Sequence, residues 1–202
     1  MLSYLLRNKL VFYFLCLIAL FDSCNQKQTK EVVIEIQPFY NLPDSDAKFV
    51  FKQVNKIYPY VVLNKPINLP QLAYYSLRNR YRADSLLRFL SSRTLENYIT
   101  IGITDQDISV TKEKITDWGI MGLGKVPGNS CIVSTFRLTP ENRLNQLFKI
   151  CVHELGHNEG LNHCDVDTCF MRDAEGKNVT DKERGFCMKC KSFLIKKGWN
   201  VQ

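Results

Sequence analysis

The three histidines of the chain, at positions 153, 157 and 163, all fall within one short stretch. The first two flank a glutamate in His153-Glu154-Leu155-Gly156-His157, an H-E-x-x-H pattern, with Gly160 three residues and His163 six residues further on. Imidazoles four apart on a helix project from one side, one turn apart, close enough to share a zinc ion at about 2.1 Å. Zinc lowers the pKa of a bound water toward about 7. Glu154 lies beside that face and is the right type of group to take the proton, as general base, while the water attacks a peptide carbonyl. Gly160 permits a left-handed turn that ends the helix and swings the chain back, so that His163 can supply a third ligand. Three protein ligands leave the fourth position for water, which is the open arrangement of a catalytic site. The rival reading is a catalytically silent zinc-binding module. Such a module needs the histidines but has no use for the carboxylate, so Glu154 favours the enzyme.

A helix must carry these residues. Thr139-Pro140-Glu141 predicts its start, with Thr139 as cap, proline where a missing N–H costs nothing and an acid at the positive end of the dipole. Leu144, Leu147, Phe148, Cys151 and Leu155 then fall on one stripe, the core-facing side of a helix running to about Glu159. Upstream, Val32, Ile34 and Ile36 alternate as a strand ending at Pro38. Asp44 caps a helix carrying Val50, Val54, Ile57 and Tyr58, and a short strand follows at residues 60–63. Residues 64–82 hold two prolines, Pro66 and Pro70, and show no period, so they read as an irregular connection before a helix over 84–93. Strands are predicted at 99–103, 119–123 and 130–136. Strands alternating with helices imply an α/β fold with a mixed, mainly parallel sheet.

Cys164, Cys169, Cys187 and Cys190 crowd the last quarter of the chain, which points to a shared task. The block HELGHNEGLNHC, followed by Cys169-Phe170-Met171 and by Cys187-Met188-Lys189-Cys190, resembles the archaemetzincins, a family of metzincin-type zinc peptidases. The order of strands and helices and the segment GNSCIVSTFRL are similar to that family more loosely. The resemblance implies a metzincin-like α/β fold: a mixed twisted sheet with packed helices, one of them the zinc-binding helix, plus a small zinc-stapled, Cys-rich C-terminal subdomain. It implies catalytic zinc on His153, His157 and His163, Glu154 as general base, and Met171 as the methionine of the turn beneath the metal. It further implies a second, structural zinc on Cys164, Cys169, Cys187 and Cys190, hence two zinc ions per chain. The C-x-x-C spacing agrees with a closed thiolate site that staples a subdomain lacking a large core. In an oxidising compartment the same four cysteines could instead form two disulfides. Cys131 and Cys151 read as buried apolar residues, with a disulfide between them as the alternative. By resemblance, residues 119–123 are the edge strand that pairs with an extended peptide. The corresponding division places a catalytic α/β subdomain at 31–160 and the Cys-rich subdomain at 161–202.

At the amino terminus Arg7 and Lys9 precede an apolar run over residues 10–21, too short to cross a bilayer as a mature helix but suited to a signal-peptide core. The following Phe21-Asp22-Ser23-Cys24 and polar NQKQTKE resemble a bacterial lipoprotein signal. This predicts a signal peptide over 1–23, lipidation of Cys24 and a polar tether over 24–30. Ordinary cleavage nearby and an uncleaved anchor are the alternatives. The expectation is an exported lipoprotein of a bacterium, held to a membrane on the periplasmic or cell-surface face. Lys+Arg number 27 against 20 Asp+Glu, for +7, and removing residues 1–23 with Arg7, Lys9 and Asp22 leaves +6. That modest excess reads as a solvated face rather than a nucleic-acid surface. The expected partner is a peptide or protein substrate, met by a monomer.

Overall fold

The computed structural model describes residues 31–174 and 176–201; the predicted signal, Cys24 and the tether lie outside the described residues. The order of elements begins with β1 (Val33–Pro38), α1 (Asp44–Ile57) and β2 (Val61–Leu63), followed by β3 (Tyr74–Tyr75), β4 (Arg80–Arg82) and α2 (Ala83–Ser91). Next come β5 (Tyr98–Thr104), β6 (Ile108–Lys112), β7 (Ile115–Ile120), β8 (Gly122–Gly124) and β9 (Ser130–Ser134). The long helix α3 (Arg143–Glu159) and the short α4 (Met188–Ile195) complete it.

Two sheets result. The larger has the order β2-β1-β5-β9-β8, parallel except for β8, which runs antiparallel to β9. This is the expected mixed sheet. The smaller, β3-β4-β6-β7, is the part the sequence concealed. Residues 64–82 are not an irregular connection throughout: they contribute β3 and β4, and 108–112 adds β6. The central strands of the larger sheet alternate across two packed faces. On one face Ile34, Ile36, Ile101, Ile103, Cys131 and Val133 meet Val50 and Val54 of α1 and Leu147, Cys151 and Leu155 of α3. On the other, Ile132 joins Leu86 and Leu90 of α2 and Ile108 of the smaller sheet. Gly102 of β5 faces this second core, where a Cβ would lie 2.6 Å from Leu90 Cδ1, so β5 passes α2 only because that position has no side chain.

The helix starts differ from expectation in detail. Asp44 is the first helical residue, after Pro43, and pairs with Lys48 one turn on. Thr139 makes no side-chain cap; Gln146 Oε1 instead reaches back to accept its backbone N–H at 2.9 Å, and a single 3-10 turn, Pro140–Asn142, leads into α3. Arg143 at the head of α3 ion-pairs with buried Asp46 of α1 and so sets the two helices against each other. The carboxy terminus closes over them: Trp199 Nε1–H donates to Glu159 Oε1 at 3.0 Å, Asn200 N–H donates to Ile57 O at 2.7 Å, and the Trp199 ring packs on Tyr58. No helix among the described residues is long and apolar enough to cross a membrane.

Candidate active site

α3 is buried on almost every side, because the sheet covers one flank and residues 161–201 cover another. Its end is fixed by Gly160, whose φ of 112° is the left-handed conformation that glycine adopts without cost. Gly160 N–H donates to His157 O at 3.0 Å and Leu161 N–H to Gly156 O at 2.9 Å. This reversal returns the chain toward the helix face and brings His163 to His153 and His157. One ring nitrogen from each of the three lies within 4.8 Å of the other two.

The outer nitrogens of all three rings are engaged. His153 Nδ1 contacts Phe170 O at 2.6 Å, His157 Nδ1 contacts Leu161 O at 2.7 Å, and His163 Nδ1 contacts Asp173 Oδ2 at 3.3 Å. A carbonyl oxygen only accepts, so in His153 and His157 the proton sits on Nδ1 and the Nε2 lone pair is left for a cation. Burial pushes the His153 imidazolium down to about 3 and lowers that of His157 as well. Both rings are therefore neutral near pH 7, the form a metal ligand requires. The donor set fits zinc: three imidazoles converging from one turn of helix and one reversal, with His163 half exposed to solvent.

Glu154 lies beneath the edge strand β8. The residue is 6% exposed, and its carboxylate accepts a hydrogen bond from Gly124 N–H. Burial pushes the carboxyl up to about 8 against the downward pull of that bond. A cation on the histidines would act in the same downward direction. The strand can sit this close only because it carries glycine: a Cβ on Gly122 would lie 2.4 Å from Glu154 Oε1, and one on Gly124 would lie 3.1 Å from Oε2. The predicted strand over 119–123 is thus split. Gly119 and Ile120 finish β7 in the smaller sheet, Met121 carries the chain across, and Gly122 and Leu123 begin the free edge of the larger one.

Under the histidines, Met171 is fully buried, and its Sδ occupies the space that a Cβ on Gly156 would need, 2.5 Å away. Gly156 of the H-E-x-x-H pattern therefore admits the thioether to the helix. Asn158 is a further residue the pattern did not reveal. Its Nδ2 donates to Ser130 O at 2.9 Å and to Lys125 O at 3.2 Å, tying the β8–β9 connection to the helix.

The four C-terminal cysteines also converge, one sulfur from each within 4.8 Å of the others. Cys164 and Cys187 have sulfurs 3.6 Å apart, too far for a disulfide bond of about 2.05 Å and near the edge of a tetrahedron built on zinc–sulfur distances of about 2.3 Å. Although burial opposes it, hydrogen bonds from the Cys190 backbone and from the neighbouring thiols pull the Cys187 thiol down to about 7. Cys131 and Cys151 are buried and free, and burial raises both thiols.

The histidines and Glu154 open into a cleft of about 720 Å³, walled by β7 and β8 on one side, α3 on another and residues 172–183 on a third. A histidine triad with a neighbouring carboxylate at the head of such a cleft suits hydrolysis of an extended substrate.

Known proteins agree with this geometry. The family model for peptidase family M54 matches residues 16–196. The archaemetzincin of Methanopyrus kandleri is 32% identical over 137 residues, 66% of this chain and 76% of the relative. That of Haloquadratum walsbyi is 27% identical over 177 residues, covering 81% of this chain and 99% of the relative. Among solved structures, the Methanopyrus kandleri archaemetzincin superposes with a TM-score of 0.70 at 26% identity, covering 84% of this chain and 97% of that one. The Archaeoglobus fulgidus archaemetzincin, complexed with malonate, gives 0.70 at 27%, covering 80% and 99%. With a family match over most of its length and a fold and histidine cleft to accompany it, the chain belongs to peptidase family M54, the archaemetzincins, and is a zinc metallopeptidase.

Proposed function

We propose that His153, His157 and His163 hold the catalytic zinc, that Glu154 is the general base, and that extended peptide is cleaved in the cleft beside β8. One observation carries this: the ring nitrogens converge while their outer nitrogens are held by Phe170 O, Leu161 O and Asp173, with the Glu154 carboxylate alongside. Zinc, when bound, supplies a Lewis acid that polarises a peptide carbonyl and makes water acidic enough to deprotonate near neutrality. Glu154 receives that proton at a carboxylate oxygen and delivers it to the departing amine. Gly124 N–H holds the carboxylate in place, and the free edge of β8 aligns the substrate backbone as an added strand. Met171 packs beneath the histidines as the floor of the site.

A second zinc on Cys164, Cys169, Cys187 and Cys190 staples the segment 161–202 to the catalytic part, 31–160. The 3.6 Å sulfur separation and the lowered Cys187 thiol support zinc over disulfides there. The composition of residues 1–30 supports export and a lipid on Cys24 that ties the enzyme to a membrane surface.

The test is a zinc-loaded chain beginning at residue 25, incubated with a diverse peptide pool, its products read by mass spectrometry beside those of Glu154→Ala. Cleavage that vanishes in the variant while zinc stays bound is the expected result. Equal cleavage by both would remove Glu154 from the reaction, and no cleavage by either, with zinc bound, would favour a binding module. A native mass spectrum showing one zinc and four lost protons would replace the second metal with two disulfides. An unmodified Cys24 on the full-length product would remove the lipid anchor.

A further inference from the structure

Lys149 precedes His153 by four residues on α3, as His153 precedes His157, so the ammonium lines up with the metal ligands along one side of the helix, about 6 Å of rise before them. It lines the same cleft yet is only 8% exposed. Its Nζ donates to two backbone carbonyls, Thr180 O and Glu183 O, each at 2.7 Å. An ammonium carries three hydrogens, and no carboxylate among the described residues lies within ion-pair distance of this one. A nearly buried cation with two neutral acceptors remains undercompensated, since burying a charge is unfavourable until a counter-charge reaches it. Its surroundings add to the bias. Arg172 and Arg137 also line the cleft, with Asp173 and Glu183 as the acids of the 172–183 wall, and burial holds the Glu183 carboxyl up near 7, which weakens it as a counter-charge.

We infer that Lys149 is the carboxylate receptor of the cleft, selecting substrates that place a carboxylate one helical turn from the metal. The substrate's carboxylate takes the third N–H of Nζ and supplies the missing counter-charge. It is either an Asp or Glu side chain next to the scissile bond or the free terminus of the chain being cut; the second would make the enzyme trim from carboxyl ends. This rests on the metallopeptidase assignment. A purely structural lysine, stapling residues 180–183 to the helix through its two carbonyl bonds, would not discriminate between substrates.

Two peptide pairs separate these cases: one differs only by Glu or Gln at the positions flanking the scissile bond, the other only by a free or amidated carboxyl terminus. For zinc-loaded full-length protein, kcat/KM should favour the carboxylate member of one pair by about tenfold or more. The pair that responds identifies the source. In Lys149→Met that ratio should collapse toward one, whatever absolute rate the variant keeps; a structural role would depress every peptide alike and leave the ratio standing. The same pairs titrated onto Glu154→Gln by fluorescence anisotropy give the preference as a ratio of Kd values without turnover. A chain that cuts nothing would therefore count against the peptidase reading while the Lys149 inference is still decided. Equal kcat/KM and equal Kd within both pairs would overturn the inference even if Lys149→Met does not fold, as would a preference that survives intact in that variant.

Discussion

The histidine cluster and the cysteine cluster are neighbours in sequence, His163 running straight into Cys164, but their surroundings differ. The histidines face a cleft, with His163 half exposed, and their outer nitrogens are oriented by two carbonyls and a carboxylate. Of the cysteines, Cys169 and Cys190 are buried, the group is packed against the main core, and its hydrogen bonds are mostly internal. The first arrangement leaves room for a substrate; the second leaves none. On the proposed assignment, similar ligand convergence yields a working centre or a structural one according to what the fourth direction meets.

The difference can be broken most violently at the closed site. Cys169→Ser should remove about 5 kcal/mol or more, because a metal that holds a segment together contributes its binding energy to folding; a thermal melt would fall by about 10–20 °C or lose its cooperativity. A melt within a degree or two of wild type would show that the cysteines are not a staple. At the open site Glu154→Gln should leave the melt and the zinc content close to wild type while lowering kcat by about 10²–10⁴-fold. Parallel loss of zinc would mean that the carboxylate helps to hold the metal. Gly156→Ala probes the boundary between the two, since the new methyl must displace Met171 Sδ; about 1–3 kcal/mol should be lost, measured by denaturant midpoint at unchanged m-value. The smallest effect is expected on the cleft wall. Burial, outweighing the attraction of Lys149 and Arg172, raises the Glu183 carboxyl from its ordinary 4.5 to about 7. Between those values the folded chain binds more protons than the unfolded one, so wild-type stability should decline as pH rises through that window, and Glu183→Gln should decline less. Superimposable pH–stability curves would contradict the shift.

The sequence revealed the side chains suited to metal binding and proton transfer. The histidines, Glu154, the turn at Gly160 and the cysteine spacing were legible because each is a chemical group at a helical or chelating interval. Apart from the Asn158 amide, what escaped it near the site acts through backbone or through empty space. Gly122 and Gly124 matter because nothing projects from them toward Glu154, and Phe170 contributes a carbonyl that any residue type would carry. The smaller sheet was hidden for another reason: β4 reads Arg-Tyr-Arg, without apolar alternation, because its arginines are matched by ion pairs to Asp107 and Asp117 and by the Thr116 carbonyl across the sheet. A period of two in hydrophobicity cannot report a strand whose partners are charges.

Cys169-Phe170-Met171 joins the two clusters within three residues: a thiol for one, a carbonyl that orients His153 of the other, and the thioether under its helix. The two clusters are therefore coupled mechanically through three consecutive residues. On the proposed two-zinc reading, a metal that holds residue 169 would also help to fix the Phe170 carbonyl, and through it the tautomer of His153.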